Sequence, residues 1–172
     1  MFQVVSVVMK KYRLLAYTLV ISLGPTISHA EESVDENYWR DIAAQFMDVS
    51  RPQAINAAST FSDCSGYFQG VANTQMSEDD KSLALIAIDY TRTLENAAVI
   101  VWSKHGSDFT KINEIKEDSS REWSVLTSIA YSTSGTEDQR DRVFSKLEEC
   151  RPLLNISTAI KKYYGNSNAE WK

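Results

Sequence analysis

The stretch from Ser77 to Gly106 constrains the fold of this 172-residue chain more than any other. No proline or glycine interrupts it, and it contains two dense apolar blocks, Leu83–Ile88 and Ala97–Trp102. Apolar residues recur along it at spacings of three and four, which is the period of one helical face. We therefore expect a long central helix around which the rest of the chain packs. Because both blocks are apolar on every side, we expect those turns to be buried on most sides.

The ends of this stretch carry the signals of a helix start and a helix stop. Ser77 is a favourable N-cap and is followed by three acidic residues, which suit the positive end of the helix dipole. Lys104 and His105 precede Gly106, which can take the left-handed C′ position. A strand over the second apolar block is an alternative, because its β-branched residues favour sheets.

Polar residues at helical spacing interrupt the apolar character of this stretch. Asp89, Arg92, Asn96 and Ser103 follow one another at intervals of three, four and seven. We interpret them as the solvent-exposed face of the helix. A buried polar network and a binding stripe are the alternatives.

The first thirty residues have the three regions of an export signal. Lys10, Lys11 and Arg13 precede an apolar run, Leu14–Leu23, that is too short to cross a bilayer, and small residues stand before a cut after Ala30. We expect residues 1–30 to be a signal peptide and residues 31–172 to form a single helical domain. The protein would then be periplasmic or secreted, with no membrane segment after cleavage.

Cleavage would leave an acidic protein with few groups for catalysis or metal binding. The mature chain would carry 15 basic and 23 acidic residues, a net charge of −8, which argues against a nucleic-acid partner. His105 would be its one histidine, so most zinc, haem and catalytic-triad schemes are excluded. We expect no cofactor and no metal; a haem held by His105 and a methionine such as Met47 is the alternative.

Cys64 and Cys150 are the two cysteines of the chain. In an oxidising compartment we expect them to form a disulfide. Two buried free thiols or a redox pair are the alternatives, and no C-x-x-C motif supports the second.

A row of small residues distinguishes the second helix, which we expect from about Pro52 to about Gln75. An apolar seam at Ala57, Phe61, Cys64, Phe68 and Val71 runs beside small residues at every fourth position, namely Ala54, Ala58, Ser62, Gly66 and Gly70. Glycine weakens a helix by about 1 kcal/mol relative to alanine, so Gly66 and Gly70 indicate a packing requirement. We expect another helix of the same chain to cross closely at Ser62, Gly66 and Gly70. A dimer seam or a docking groove at these residues is the alternative.

The remaining pattern predicts an all-α bundle of five or six helices around the long central helix, with one disulfide. A helix is expected from about Phe109 to about Tyr131, with Ile112, Trp123 and Ile129 on its apolar face. Thr136 and Gln139 form the capping-box pattern of the next helix. Because a proline disfavours helical angles in the residue before it, we expect a break at Pro152 and a short last helix ending at Gly165.

No motif for catalysis is present in the sequence. It contains no glycine-rich phosphate loop, no G-x-S-x-G and no H-E-x-x-H. The acidic pairs Asp79-Asp80 and Glu148-Glu149 each join adjacent residues, which point in different directions on a helix. We predict no catalytic residues and no enzymatic activity.

One segment resembles a known family. Asp63–Asn73, with the sequence DCSGYFQGVAN, is similar to the C-x-G-Y-x-x-G-V-A segment of small exported immunity proteins linked to bacterial type VI secretion. That resemblance implies a helical, disulfide-linked protein that binds a toxic hydrolase in the periplasm. The match covers about eleven residues, and the segment around Cys150 departs from the family pattern.

Two hypotheses for function follow. In the first, the chain is a soluble, non-enzymatic protein-binding protein, such as an inhibitor or an immunity factor against a hydrolase toxin, whose partner is another protein. In the second, it is a helical carrier of a small apolar molecule or a chaperone-like module. The first hypothesis requires an exposed contact surface, and the second requires an internal cavity. The sequence does not indicate an oligomeric state.

Overall fold

The computed structural model describes residues 36–74, 81–106 and 108–165. This part of the chain is all-α and contains no strand, so the strand alternative for Ala97–Trp102 is wrong. Its helices are α1 (Glu36–Met47), α2 (Arg51–Thr74), α3 (Lys81–Ser103), α4 (Thr110–Ala130) and α5 (Glu137–Tyr164). The expected bundle of five or six helices with one disulfide is confirmed. The predicted signal peptide and the Ser77 cap lie outside the described residues.

Four of the helices alternate in direction. The Arg51 guanidinium lies 5.8 Å from the centre of the Trp102 ring, and Ser65 donates a hydrogen bond to the Thr91 carbonyl, so α2 and α3 are antiparallel. Helices α4 and α5 also form an antiparallel pair, since Arg142 of α5 lies 3.8 Å from Glu122 of α4. The short helix α1 packs on the last turns of α5, where Lys162 bonds to Glu36. The result is an up-down-up-down arrangement with α1 packed on α5.

The most deeply buried helix is α2 rather than the helix that the sequence places at the centre. Twelve of the 24 residues of α2 are buried, against nine of the 23 residues of α3. Helix α2 packs along both α3 and α4 and also contacts α1 and α5. Its small residues explain this position, because they allow two helices to approach its backbone.

The two apolar blocks of α3 differ in burial. In the second block, five of six residues are buried, with Val99 partly exposed. In the first block, Leu83 and Ala87 are buried but Leu85 is 67 % exposed, so this block is less buried than the expectation of burial on most sides. Helix α3 therefore presents one face to the bundle here, and Leu85 lies on the other face together with Asp89 and Arg92, both exposed as expected.

The predicted break at Pro152 is also wrong, because α5 continues through this residue to Tyr164. Proline removes one backbone hydrogen bond and strains the turn before it. Buried residues hold α5 on both sides of the proline: Cys150 is joined to α2, and Ser157 and Ile160 are in the interior. Packing and the disulfide thus keep the helix continuous despite the proline.

The two glycines that were expected to stop helices do so without left-handed geometry. Helix α3 ends at Ser103, and the φ angle of Gly106 lies outside the left-handed region. Gly165 follows α5 with a φ of −67°. The capping box at the start of α5 is confirmed: Gln139 N donates to Thr136 Oγ1 at 3.3 Å, and Thr136 N donates to Gln139 Oε1 at 2.9 Å.

Candidate interaction surface

The row of small residues on α2 lies inside the bundle and faces α4. Ser62, Gly66 and Gly70 are all buried. A Cβ atom built on Gly66 would lie 2.4 Å from the Lys116 carbonyl oxygen and 2.6 Å from the Ser119 Cβ. On Gly70 it would lie 2.7 Å from the Ser124 backbone nitrogen. The close crossing is therefore within the chain, and these residues are not accessible to a partner.

The disulfide joins the middle of α2 to the middle of α5. Cys64 and Cys150 are bonded at an S–S distance of 2.00 Å, and both residues are completely buried. Since these are the two cysteines of the chain, the oxidised protein has no thiol. The bond holds the two helices together and offers no reactive group to a substrate.

Buried polar groups beside the disulfide have partners within the fold. The Lys146 ammonium bonds to Asp63 at 2.6 Å and to Glu149 at 2.8 Å. Burial alone would lower the pKa of Lys146, but these hydrogen bonds outweigh it and raise that pKa, so the side chain is charged at neutral pH. Burial raises the pKa of Tyr67, whose neutral hydroxyl donates to the Val143 carbonyl at 3.0 Å. These groups tie α2 to α5.

The described residues contain no cluster that suggests metal chemistry. Within residues 36–74, 81–106 and 108–165, no three histidine, cysteine, aspartate or glutamate side chains are grouped so that they could hold a metal ion. Met47 is a core residue, and its carbonyl accepts a hydrogen bond from Lys104 at 3.2 Å. Among the described helices, none combines the length and the apolar character that a membrane crossing requires.

The outer face of α4 carries two large apolar side chains that sequence reasoning did not identify as surface residues. Val125 is 61 % exposed, and Ile129, which was expected on the buried face, is 40 % exposed. In this part of α4, Thr127 and Ala130 are buried rather than Ile129. The glycines of α2 contact the backbone and the Cβ atoms of α4 at Lys116, Ser119, Ser120, Trp123 and Ser124. The Ser119 hydroxyl donates to the Asp63 carbonyl at 2.8 Å.

Val125 and Ile129 lie one helical turn apart, which distinguishes them from the other exposed apolar residues. Large hydrophobic side chains are also exposed elsewhere in the described part of the chain, at Tyr38, Ile55, Leu85 and Phe144. Each of those four stands singly on its helix. A sequence signal for the pair did exist: Val125 and Ile129 share one side of α4 with Asp118 and Glu122, at spacings of four, three and four.

Comparison of the chain with protein-family models, with curated proteins and with solved structures finds no match.

Proposed function

We propose that this protein is exported to the periplasm or the medium and acts there, without catalysis, by binding another protein. The observation that carries this proposal is the pair of large apolar side chains Val125 and Ile129, which are 61 % and 40 % exposed one helical turn apart on α4. Apolar surface that remains in water on an ordered element is characteristic of contact sites when the residues are grouped.

The buried disulfide supports the exported part of the proposal. Disulfides persist in oxidising compartments and are rare in the cytosol. Cys64 and Cys150 are both completely buried within the bundle, so their bond is part of the folded structure. A protein that is made with this bond therefore fits a periplasmic or secreted location.

The same bond supports a role as an inhibitor or immunity factor. A binder that is held rigid before it meets its partner loses less conformational entropy on binding, which favours high affinity. The disulfide, the Lys146–Asp63 ion pair and the Tyr67–Val143 hydrogen bond all hold α5 against α2. Helix α4, which carries Val125 and Ile129, is held against the same helix α2 by the Ser119–Asp63 hydrogen bond and by the close contacts at Gly66 and Gly70.

The resemblance of Asp63–Asn73 to type VI immunity proteins concerns the interior of the fold. Eight of these eleven residues are buried, among them Cys64, Gly66, Tyr67 and Gly70. They supply the disulfide and the close helix packing. If the chain shares a function with that family, its contact surface must therefore be formed by other residues.

Affinity capture tests the proposed function. Oxidised Glu31–Lys172 would be immobilised and exposed to envelope and secreted proteins, and we expect it to retain one protein in stoichiometric amount. Reduced and alkylated protein is the matched control, because it presents the same residues without the rigid fold. If the folded protein retained no protein and native mass spectrometry instead showed a bound small apolar molecule, the proposal would be wrong and the carrier hypothesis would replace it.

A further inference from the structure

We infer that the partner binds the outer face of the α4–α5 hairpin, and that it presents a basic surface with an apolar side chain at its centre. This inference rests on the function proposed above. We call this face the hairpin surface and define it by residues that are all exposed and that lie on α4 and the first turns of α5: Asp118, Glu122, Val125, Ile129, Glu137, Asp138 and Asp141.

The apolar centre of this surface is the pair Val125 and Ile129. Within the described part of the chain, these are the two large exposed apolar residues that lie one turn apart on the same helix. Their side chains are therefore neighbours and form a continuous apolar area. Single exposed apolar residues are ordinary on soluble proteins, whereas grouped ones mark contact sites.

Acidic residues border this apolar pair on α4 and α5. Asp118 and Glu122 continue the same stripe of α4. Arg142 lies 3.8 Å from Glu122, and Asp138 precedes Arg142 by one turn on the same side of α5. Because α4 and α5 are antiparallel, one turn back along α5 corresponds to one turn forward along α4, which places Asp138 beside Val125.

The negative charge of this region is only partly neutralised within the protein. Residues 114–142 contain seven acidic and four basic side chains. All four basic side chains are engaged: Lys116 with Glu95, Arg121 with Asp118, Arg142 with Glu122, and Arg140 with the carbonyls of Ala130 and Gly135. In contrast, no ion pair in the described part of the chain involves Glu137, Asp138 or Asp141.

This combination of charge and apolar character selects the class of partner. Phosphates of nucleic acids and anionic lipid headgroups would be repelled by the carboxylates. A second copy that docked through the same face would oppose like charges. A basic protein surface would instead be attracted by the carboxylates, and burial of Val125 and Ile129 against an apolar residue would stabilise the complex.

Site-specific photo-crosslinking tests this inference in the full exported protein. p-Benzoylphenylalanine would be placed at Val125 and, as the matched control, at Leu85, which is exposed to a similar degree on α3. We expect a covalent adduct with another protein from position 125 and none from position 85. Mass spectrometry should then identify a protein with a basic surface, the same one that affinity capture retains.

Paired variants measure the apolar and the charged contributions separately. One double variant is Val125→Ser with Ile129→Ser, and the other is Asp138→Lys with Asp141→Lys. Each double variant should weaken binding of the captured protein about tenfold or more. Leu85→Ser and Asp89→Lys change the same residue types on α3 and should leave the affinity within about twofold. Raising the salt concentration should slow association of the wild-type protein.

The outcomes of these experiments distinguish an error in the location of the binding surface from an error in the proposed function. If affinity capture retains a protein but the adduct forms at position 85, at neither position or with a second copy of this chain, the hairpin surface is wrong while protein binding stands. If Leu85→Ser and Asp89→Lys weakened binding as much as the double variants do, the hairpin surface would likewise be wrong while protein binding stood. If the wild-type protein captures nothing, the proposed function fails and the hairpin surface fails with it.

Discussion

Gly66 is a residue where the packing of α2 against α4 leaves no room for a side chain. Its position on α2 faces the backbone of α4, and the nearest atoms to an added Cβ belong to Lys116 and Ser119. A backbone carbonyl cannot move aside as the end of a flexible side chain can. The presence of glycine in the middle of a long helix thus has a physical cause, because any side chain would separate α2 from α4.

Replacing Gly66 by alanine tests this explanation. The helix propensity of alanine would stabilise the protein by about 1 kcal/mol, while overpacking costs about 1–3 kcal/mol. Since a Cβ at 2.4 Å from the Lys116 oxygen requires α4 to move, we expect overpacking to dominate and Gly66→Ala to lower the free energy of unfolding. Denaturant unfolding followed by circular dichroism measures this change.

Gly106→Ala is the matched control for this substitution. A Cβ there would meet the Trp102 ring at 3.7 Å, which is an ordinary contact, so we expect little change in stability. An unchanged or higher unfolding midpoint for Gly66→Ala would contradict the close crossing of α2 and α4.

Among the helices, α5 shows how tertiary structure overrides a local signal. Its 28 residues include Pro152, which is exposed and leaves the Glu148 carbonyl without its usual intrahelical donor. The turns before and after the proline remain helical because Cys150 and Ile160 are anchored in the interior. The proline is therefore a local destabilising element that the bundle tolerates.

We accordingly expect Pro152→Ala to stabilise the protein. Proline is less favourable than alanine by about 3 kcal/mol in a helix interior, but it also restricts the unfolded chain by about 0.4–1 kcal/mol. The difference predicts a gain of about 2 kcal/mol in the free energy of unfolding, seen as a higher Tm in calorimetry. Thr158→Ala, an exposed substitution later in α5, is the control and should change the Tm little. A lower Tm for Pro152→Ala would mean that the proline ring itself makes a needed contact.

Helix positions were predictable from the sequence because their signals are local. The expected α4, Phe109–Tyr131, differs by one residue at each end from the observed Thr110–Ala130, and the capping box at Thr136 is present. The predictions that were wrong concerned features that depend on contacts with other helices. The exposure of Ile129 depends on how α4 packs against its neighbours, and the continuity of α5 depends on its buried residues together with the disulfide. Of the hairpin surface, the sequence alone shows only the spacing of three and four residues between its members on α4.

At the scale of the whole molecule, the disulfide joins two parts of the chain that are 86 residues apart in sequence. The closed loop includes the C-terminal part of α2, all of α3 and α4, and the first half of α5. The hairpin surface lies within that loop, so its placement against α2 depends on the same linkage. The ion pair between Lys146 and Asp63 lies beside the disulfide and supports it.

Removing this linkage should therefore destabilise the whole bundle. In the chain-entropy description, closing a loop of this length stabilises the folded state by about 4–5 kcal/mol, and measured losses are typically about 2–5 kcal/mol. We expect Cys64→Ala with Cys150→Ala to lose stability in that range by denaturant unfolding. Reduced wild-type protein is the matched control, since it lacks the bond but keeps both side chains and creates no cavity. It should lose a similar amount, whereas equal unfolding midpoints for oxidised and reduced protein would show that packing alone holds α5 to α2.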